Sequence, residues 1–143
     1  IRESIPEAQL ALGTVIKHDI SLPISQIANF VEATEIKLQH LWPKMQTIIF
    51  GHVGDGNLHY NIAAPLGVDS KEFNRLNEKP IHNLVYAQVE RFRGSISAEH
   101  GVGQLKLEGL RAHKGEVAHE LMKSVKRALD PQNLLNPNKV VSI

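Results

Sequence analysis

An α+β fold is what the sequence predicts: a split βαβ antiparallel sheet with its helices on one face, followed by a C-terminal helical segment. Three observations predict it. Apolar residues switch between strand-like and helix-like spacing in the order strand, helix, strand, strand, helix, strand. A glycine- and asparagine-rich turn joins the two middle strands, and one more amphipathic stretch comes after the last strand.

Each element follows from local signals. Residues Pro6 to Leu12 can form a helix that Gly13 ends, before the strand-like run Thr14-Val15-Ile16-Lys17-His18-Asp19-Ile20. Pro23 opens a helix whose apolar positions Ile24, Ile27, Ala28, Val31, Leu38 and Leu41 keep helical spacing, and Pro43 lies just past its end. The β-branched run Thr47-Ile48-Ile49-Phe50 is the second strand and leads to Gly51-His52-Val53. Gly54-Asp55-Gly56-Asn57 has turn chemistry, because glycine and asparagine accept positive φ cheaply, and Leu58 to Ile62 resumes as the third strand. Asp69 with Glu72 resembles a capping box opening a helix to about Arg93, and Pro80 offers a point at which it breaks in two. Gly94 to Ala98 is a short fourth strand. The order is that of ferredoxin-like folds. A last helix, Gly115 to Leu129, carries Val117, Leu121, Val125 and Ala128 on one face before Asp130-Pro131 stops it.

At 143 residues the chain has the size of one domain, and the expected organisation is a single domain over 1–143. It is 42% hydrophobic and 22% charged, with a net charge of +1 and no long apolar run. Its Lys and Arg are scattered, without the dense basic stripe that displaces counterions from phosphates, which argues against nucleic acid as a partner. There is no cysteine, so disulfides and thiolate metal sites are excluded and any metal must use His, Asp or Glu. The first residue is Ile1 and no signal-peptide pattern follows, so the beginning reads as internal to a longer protein.

Two constellations carry chemistry. If Gly54 to Asn57 form the loop, Val53 faces Leu58, His52 faces His59 and Phe50 faces Asn61. That register sets His52 and His59 side by side on one face, shared by Asn61, where two imidazoles can converge on one ion. A hairpin with two histidines beside a glycine turn has the same pattern without any ion, and both readings stand. The second constellation is Ser97-Ala98-Glu99-His100-Gly101-Val102-Gly103, whose glycines let backbone approach a ligand. Glu99 would complete a His/His/Glu set with an open position, and His100 beside it could be a general base, as histidine is the side chain suited to that work near neutral pH. A helix-entry turn with solvated charges would read the same way. In an ideal split βαβ sheet Glu99 ends at the opposite edge from the hairpin turn, so the site requires a short fourth strand whose exit crosses the sheet, or displaced strand limits. Arg2 would suit a carboxylate through paired hydrogen bonds, and Lys17 lies near a strand end; either is equally a surface charge. Gly51, Gly54 and Gly56 do not lie between a strand and a helix, which excludes a nicotinamide fingerprint.

The motifs His52-Val53-Gly54-Asp55-Gly56-Asn57-Leu58-His59 and Gly94-Ser95-Ile96-Ser97-Ala98-Glu99-His100-Gly101-Val102-Gly103 resemble those of the FAD-linked oxidases that include D-2-hydroxyglutarate dehydrogenase, D-lactate dehydrogenase and the glycolate oxidase flavin subunit. Arg2-Glu3, Lys17-His18-Asp19-Ile20-Ser21-Leu22-Pro23 and the tail Leu129 to Lys139 support the resemblance, which covers essentially the whole chain. It implies the C-terminal, substrate- and metal-binding domain of such an enzyme. His52, His59 and Glu99 are implied as ligands of a divalent metal, usually zinc, His100 as the base that takes the hydroxyl proton, and Arg2, Lys17 and Asn61 as substrate contacts. FAD, bound mainly by a preceding domain, would accept the hydride, so the fragment alone is expected to be inactive. Lys17-x-Asp19, Ser21-Leu22-Pro23 and Asn61 lean toward the 2-hydroxyglutarate branch, whereas Pro6 stands where those enzymes use a threonine, and Asn138 where glycine is common. The resemblance also implies a small 2-hydroxyacid substrate, a bacterial cytoplasmic or mitochondrial setting, and room for a homo-oligomer. The competing class is a non-catalytic ferredoxin-like module that binds a metal or an organic acid.

Overall fold

The computed structural model describes residues 4–5, 9 and 11–143. Arg2 and Pro6 lie outside the described residues. The chain separates into two compact units, Ile1–Glu99 and His100–Ile143.

The first unit holds the sheet. Strands β1 (Val15–Ile16) and β2 (Asp19–Ser21) pair along one edge of β4 (Asn57–Ala63), and β3 (Gln46–Phe50) pairs along the other, all antiparallel. Val15 opposes Ala63 and Asp19 opposes His59, so β1 and β2 keep one register and no residue is inserted between them. The expected first strand is therefore one line of chain with a break at Lys17-His18. At the break the His18 N–H donates to the Asn61 side chain (3.3 Å), taking it out of the backbone ladder. The expected fourth strand shrinks to one bridge, Ser95 with Ser21, on the outer side of β2. With that bridge the strand order is that of the split βαβ arrangement, and the α+β reading of the sequence is realised.

Alternation divides the sheet into two faces. Ile16, Ile20, Leu58, Tyr60 and Ile62 are buried on the helical side. Helix α1 (Ile27–Leu41) meets them with Phe30, Thr34 and Leu38, and α2 (Ser70–Arg91) with Phe73, Ile81, Val85 and Val89. The Phe30 and Tyr60 rings make an edge contact at 5.5 Å between centroids. Each such buried side chain contributes roughly 1.5–3 kcal/mol. Asp69 caps α2 by accepting from Lys71 N (3.0 Å), as expected, but Glu72 does not close the capping box: it pairs with Arg75 at 2.7 and 2.8 Å. Pro80 does not divide the helix. It lies on the exposed face, where the carbonyl deprived of its donor can reach water while the apolar face stays packed.

The β3–β4 connection differs from the sequence expectation by two positions. Phe50 opposes His59 and Ile48 opposes Asn61, so His52 does not face His59 across the ladder. The turn is longer than Gly54 to Asn57. A 3₁₀ turn over Val53–Asp55 closes with Gly56 in the left-handed region (φ 75°), and His52 O accepts from both Asp55 N (2.9 Å) and Asn57 N (3.1 Å). Strand pairing thus stops at Phe50, and His52 belongs to the turn.

In the second unit, α3 (Leu107–Leu129) contains a kink at Gly115 (φ 72°, ψ 164°), so the helix expected from Gly115 follows directly on a preceding helical stretch. Its stripe Val117, Leu121 and Val125 is exposed, while Leu110 and His119 are buried. Asp130 ends the helix and organises the tail, accepting from Leu134 N and Leu135 N at 2.9 Å each and pairing with Lys126, which holds its carboxyl below the usual range.

Gly94 sets the close approach that permits the Ser21–Ser95 bridge: a Cβ there would run into the Ser21 carbonyl oxygen and the Leu22 and Val89 side chains. Gly94→Ala should lower stability by roughly 1–3 kcal/mol through overpacking. A drop in the urea midpoint at unchanged m-value is the expected measurement.

Candidate metal and substrate site

The sheet face opposite the helices carries the polar residues. Asp19 and His59 oppose each other in β2 and β4, Asn61 is two residues beyond His59 on the same face, and Lys17 lies in step with Asp19 at the break. Phe50 packs beside His59, with ring centroids 5.0 Å apart. Aspartate is a poor strand former and is here 5% exposed, so its burial needs compensating donors. They come from the segment after the Ser95 bridge: Ala98 N (3.2 Å) and Glu99 N (3.0 Å) both donate to Asp19 Oδ2.

That grip answers how Glu99 reaches the hairpin. Because the fourth strand has a single bridge, the chain leaves the sheet at once and is drawn over the end of β2. The Glu99 carboxylate then lies 3.4 Å from His52 Nδ1, and the other Asp19 oxygen lies 3.9 Å from His59 Nδ1. A chain of close contacts therefore connects His52 to Glu99, Glu99 to Asp19, and Asp19 to His59. Two donors each ~2.1 Å from a tetrahedral ion are about 3.4 Å apart, so the His52–Glu99 pair has the spacing of two ligands of one zinc-like ion. The donor set of imidazole nitrogen and carboxylate oxygen fits a divalent metal of that class.

The other expected site residues fall out unevenly. Lys17 is exposed. Asn61 is 4% exposed, and its amide is engaged: Nδ2 donates to Gln9 (2.8 Å) while Oδ1 accepts from His18 N. His100 is exposed and opens the second unit. Arg2 is outside the described residues. Gly51, Gly54 and Gly56 lie between two antiparallel strands and form no strand-to-helix dinucleotide loop.

Two features escaped the sequence reading. Asp19 had a signal, an acid directly beside Ile20 in a strand-like run and part of the Lys17-x-Asp19 motif, though the sequence reading gives it no place in the site. The other is an imidazole pair on the helical side. His18, 1% exposed, places Nδ1 2.8 Å from Tyr60 O and Nε2 2.8 Å from His82 Nδ1. A carbonyl only accepts, so His18 Nδ1 carries a proton and, with both rings neutral, His82 Nδ1 donates to His18 Nε2. His82 stacks on Tyr86 and faces Glu78 at 3.6 Å. Burial, and then the charges of Asp19 and Glu78, push the Tyr86 hydroxyl up, so it stays protonated at neutral pH. Nothing in the sequence pattern pairs residues 18 and 82; helix packing does.

Comparison with known proteins gives a consistent result. The family model described as FAD linked oxidases, C-terminal domain, matches residues 1–140. The chain is 42% identical over 141 residues to a mitochondrial D-2-hydroxyglutarate dehydrogenase of Arabidopsis thaliana, covering 99% of this chain and 24% of that protein. It is 39% identical over 140 residues to a D-2-hydroxyglutarate dehydrogenase of Xanthomonas citri pv. viticola, covering 98% and 29%. A provisionally named mitochondrial D-lactate dehydrogenase of Schizosaccharomyces pombe is 38% identical over 151 residues, covering 98% and 27%. The chain spans about a quarter of the length of these curated relatives.

Asn61 is a structural fastener whatever else it does. Asn61→Ala leaves the buried His18 N–H without that acceptor, which should cost roughly 1–3 kcal/mol. Denaturant unfolding of the variant measures it, and an unchanged midpoint would show the bond to be dispensable.

Proposed function

We propose a function on the footing that the chain belongs to the FAD linked oxidases, C-terminal domain family: it forms the substrate- and metal-binding part of a flavin-dependent D-2-hydroxyacid dehydrogenase. The supporting observation is the His52–Glu99 approach at 3.4 Å, tied through Asp19 to His59. The relatives named D-2-hydroxyglutarate dehydrogenase favour that substrate class, with D-lactate and glycolate as the smaller members of it.

The reaction removes a hydride from C2 and a proton from the C2 hydroxyl, leaving a 2-oxoacid. FAD held by a preceding domain would supply the hydride acceptor, and His52, His59 and Glu99 would hold a divalent ion whose charge would favour a developing alkoxide. This chain's residues do the rest. His100 would accept the hydroxyl proton. Arg2 and Lys17 would pair with the substrate's carboxylates and fix its direction, and Asn61 shares its sheet face with Lys17. Holding the acid in one orientation converts encounter into an effectively unimolecular transfer.

Two outcomes test the assignment in the full-length protein. His52→Ala, His59→Ala and Glu99→Ala should each lose tightly held divalent metal by elemental analysis after dialysis; retention at parent stoichiometry in the two histidine variants would move the site elsewhere. His100→Ala should slow flavin reduction in stopped flow by about 10²–10⁴-fold with little change in substrate binding. Arg2→Ala and Lys17→Ala should instead act mainly by raising KM, and normal flavin reduction in the His100 variant would remove it from the mechanism.

A further inference from the structure

We propose that Asp19 is the positioning residue of the metal site, a single buried carboxylate that orients the His59 imidazole and holds the Glu99 backbone at the same time. The inference rests on the reading of His52, His59 and Glu99 as ligands and adds a residue that supports two of them.

Three observations carry it. Asp19 is opposite His59 in the β2–β4 ladder, so the two side chains emerge together on the same face. Its Oδ1 is 3.9 Å from His59 Nδ1, longer than a hydrogen bond but close enough for electrostatic pairing with an N–H at that position. Its Oδ2 accepts from Ala98 N and Glu99 N at 3.2 and 3.0 Å. Consecutive amides on one carboxylate oxygen fix the course of the backbone that delivers Glu99, and the Ser21–Ser95 bridge is the only ladder contact of that segment among the described residues.

The chemistry asks for a carboxylate and not merely a polar side chain. An imidazole that ligates through Nε2 must carry its proton on Nδ1, and an acceptor there selects that tautomer and raises ligand basicity. The amides of Ala98 and Glu99 also need an acceptor. A carboxylate accepts on both oxygens, whereas an amide accepts on one side and donates from the other. An asparagine in place of Asp19 can therefore serve the imidazole or the two backbone donors, never both. Burial sharpens the requirement, since an unmatched donor pair in a site 5% exposed has no water to turn to.

The test is Zn²⁺ affinity of the full-length protein by chelator competition, with the visible spectrum of the Co²⁺-loaded form and the melting temperature of metal-stripped protein as companion readouts. His59→Ala is the reference for loss of a ligand. Asp19→Asn should weaken Zn²⁺ binding by about 10–100-fold and alter the Co²⁺ bands, while the metal-stripped protein melts close to the parent. If Asp19→Asn does not fold, Asp19→Glu, which keeps both acceptor oxygens but moves them one methylene outward, is judged on the same Zn²⁺ affinity and Co²⁺ spectrum. Affinity within about threefold of the parent and an unchanged Co²⁺ spectrum would overturn the positioning role. Loss of Zn²⁺ as complete as in His59→Ala would overturn it too, making Asp19 a ligand. Parent-like Zn²⁺ binding in His59→Ala would instead bring down the ligand reading itself, and this inference with it.

Discussion

Strand β4 is hydrogen-bonded along both edges, and that constraint decides what each of its residues can do. Leu58, Tyr60 and Ile62 are committed to the helical core, which commits Asn57, His59 and Asn61 to the opposite face. A slip of one residue would drive His59 into the apolar layer and expel Tyr60, so core packing fixes the register and the register fixes the chemistry. The same logic passes to β2, where Ile20 is buried in the core and Asp19 is thereby turned toward His59.

Much of this could be read from residue order alone. Period changes located β1 with β2 as one strand, β3, β4, α1 and α2, and the order of elements gave the sheet topology, because connection rules leave few ways to arrange such a string. The two motifs located His52, His59 and Glu99. What could not be read is how Glu99 comes to lie beside His52. The length of the turn after Phe50 depends on hydrogen bonds to His52 O, and the short fourth strand depends on a buried acceptor on another strand; both are contacts between residues far apart in sequence or in backbone states that composition does not specify. The stripe Val117, Leu121, Val125 was legible as a helix face, but a period says only that a face exists and not what lies against it.

Local rules are broken around the candidate site. Asp19 in a strand, buried Asn57 and Asn61, and a buried His18 are each unfavourable by propensity or by desolvation. Asp19, Asn61 and His18 have partners from other elements: Ala98 and Glu99 for the first, Gln9 for the second, His82 for the third. Such polar groups give less net stability than apolar ones of the same size, but they tolerate fewer alternative arrangements. The departures at Asp19, Asn57 and Asn61 thus mark the same face that the motifs mark, whereas His18 lies on the helical side.

The break at Lys17-His18 also governs how this sheet behaves toward other chains. The outer side of β1 and β2 is an edge, and among the described residues only Ser95 pairs with it. An unbroken edge of that length would be a template for a foreign strand, inviting edge-to-edge aggregation. Here it is cut into pieces of two and three residues with an exposed lysine between them, and a strand approaching it would have to seat that charge within its own ladder. The interruption that brings His18 and Asn61 together therefore doubles as a guard against β-sheet extension.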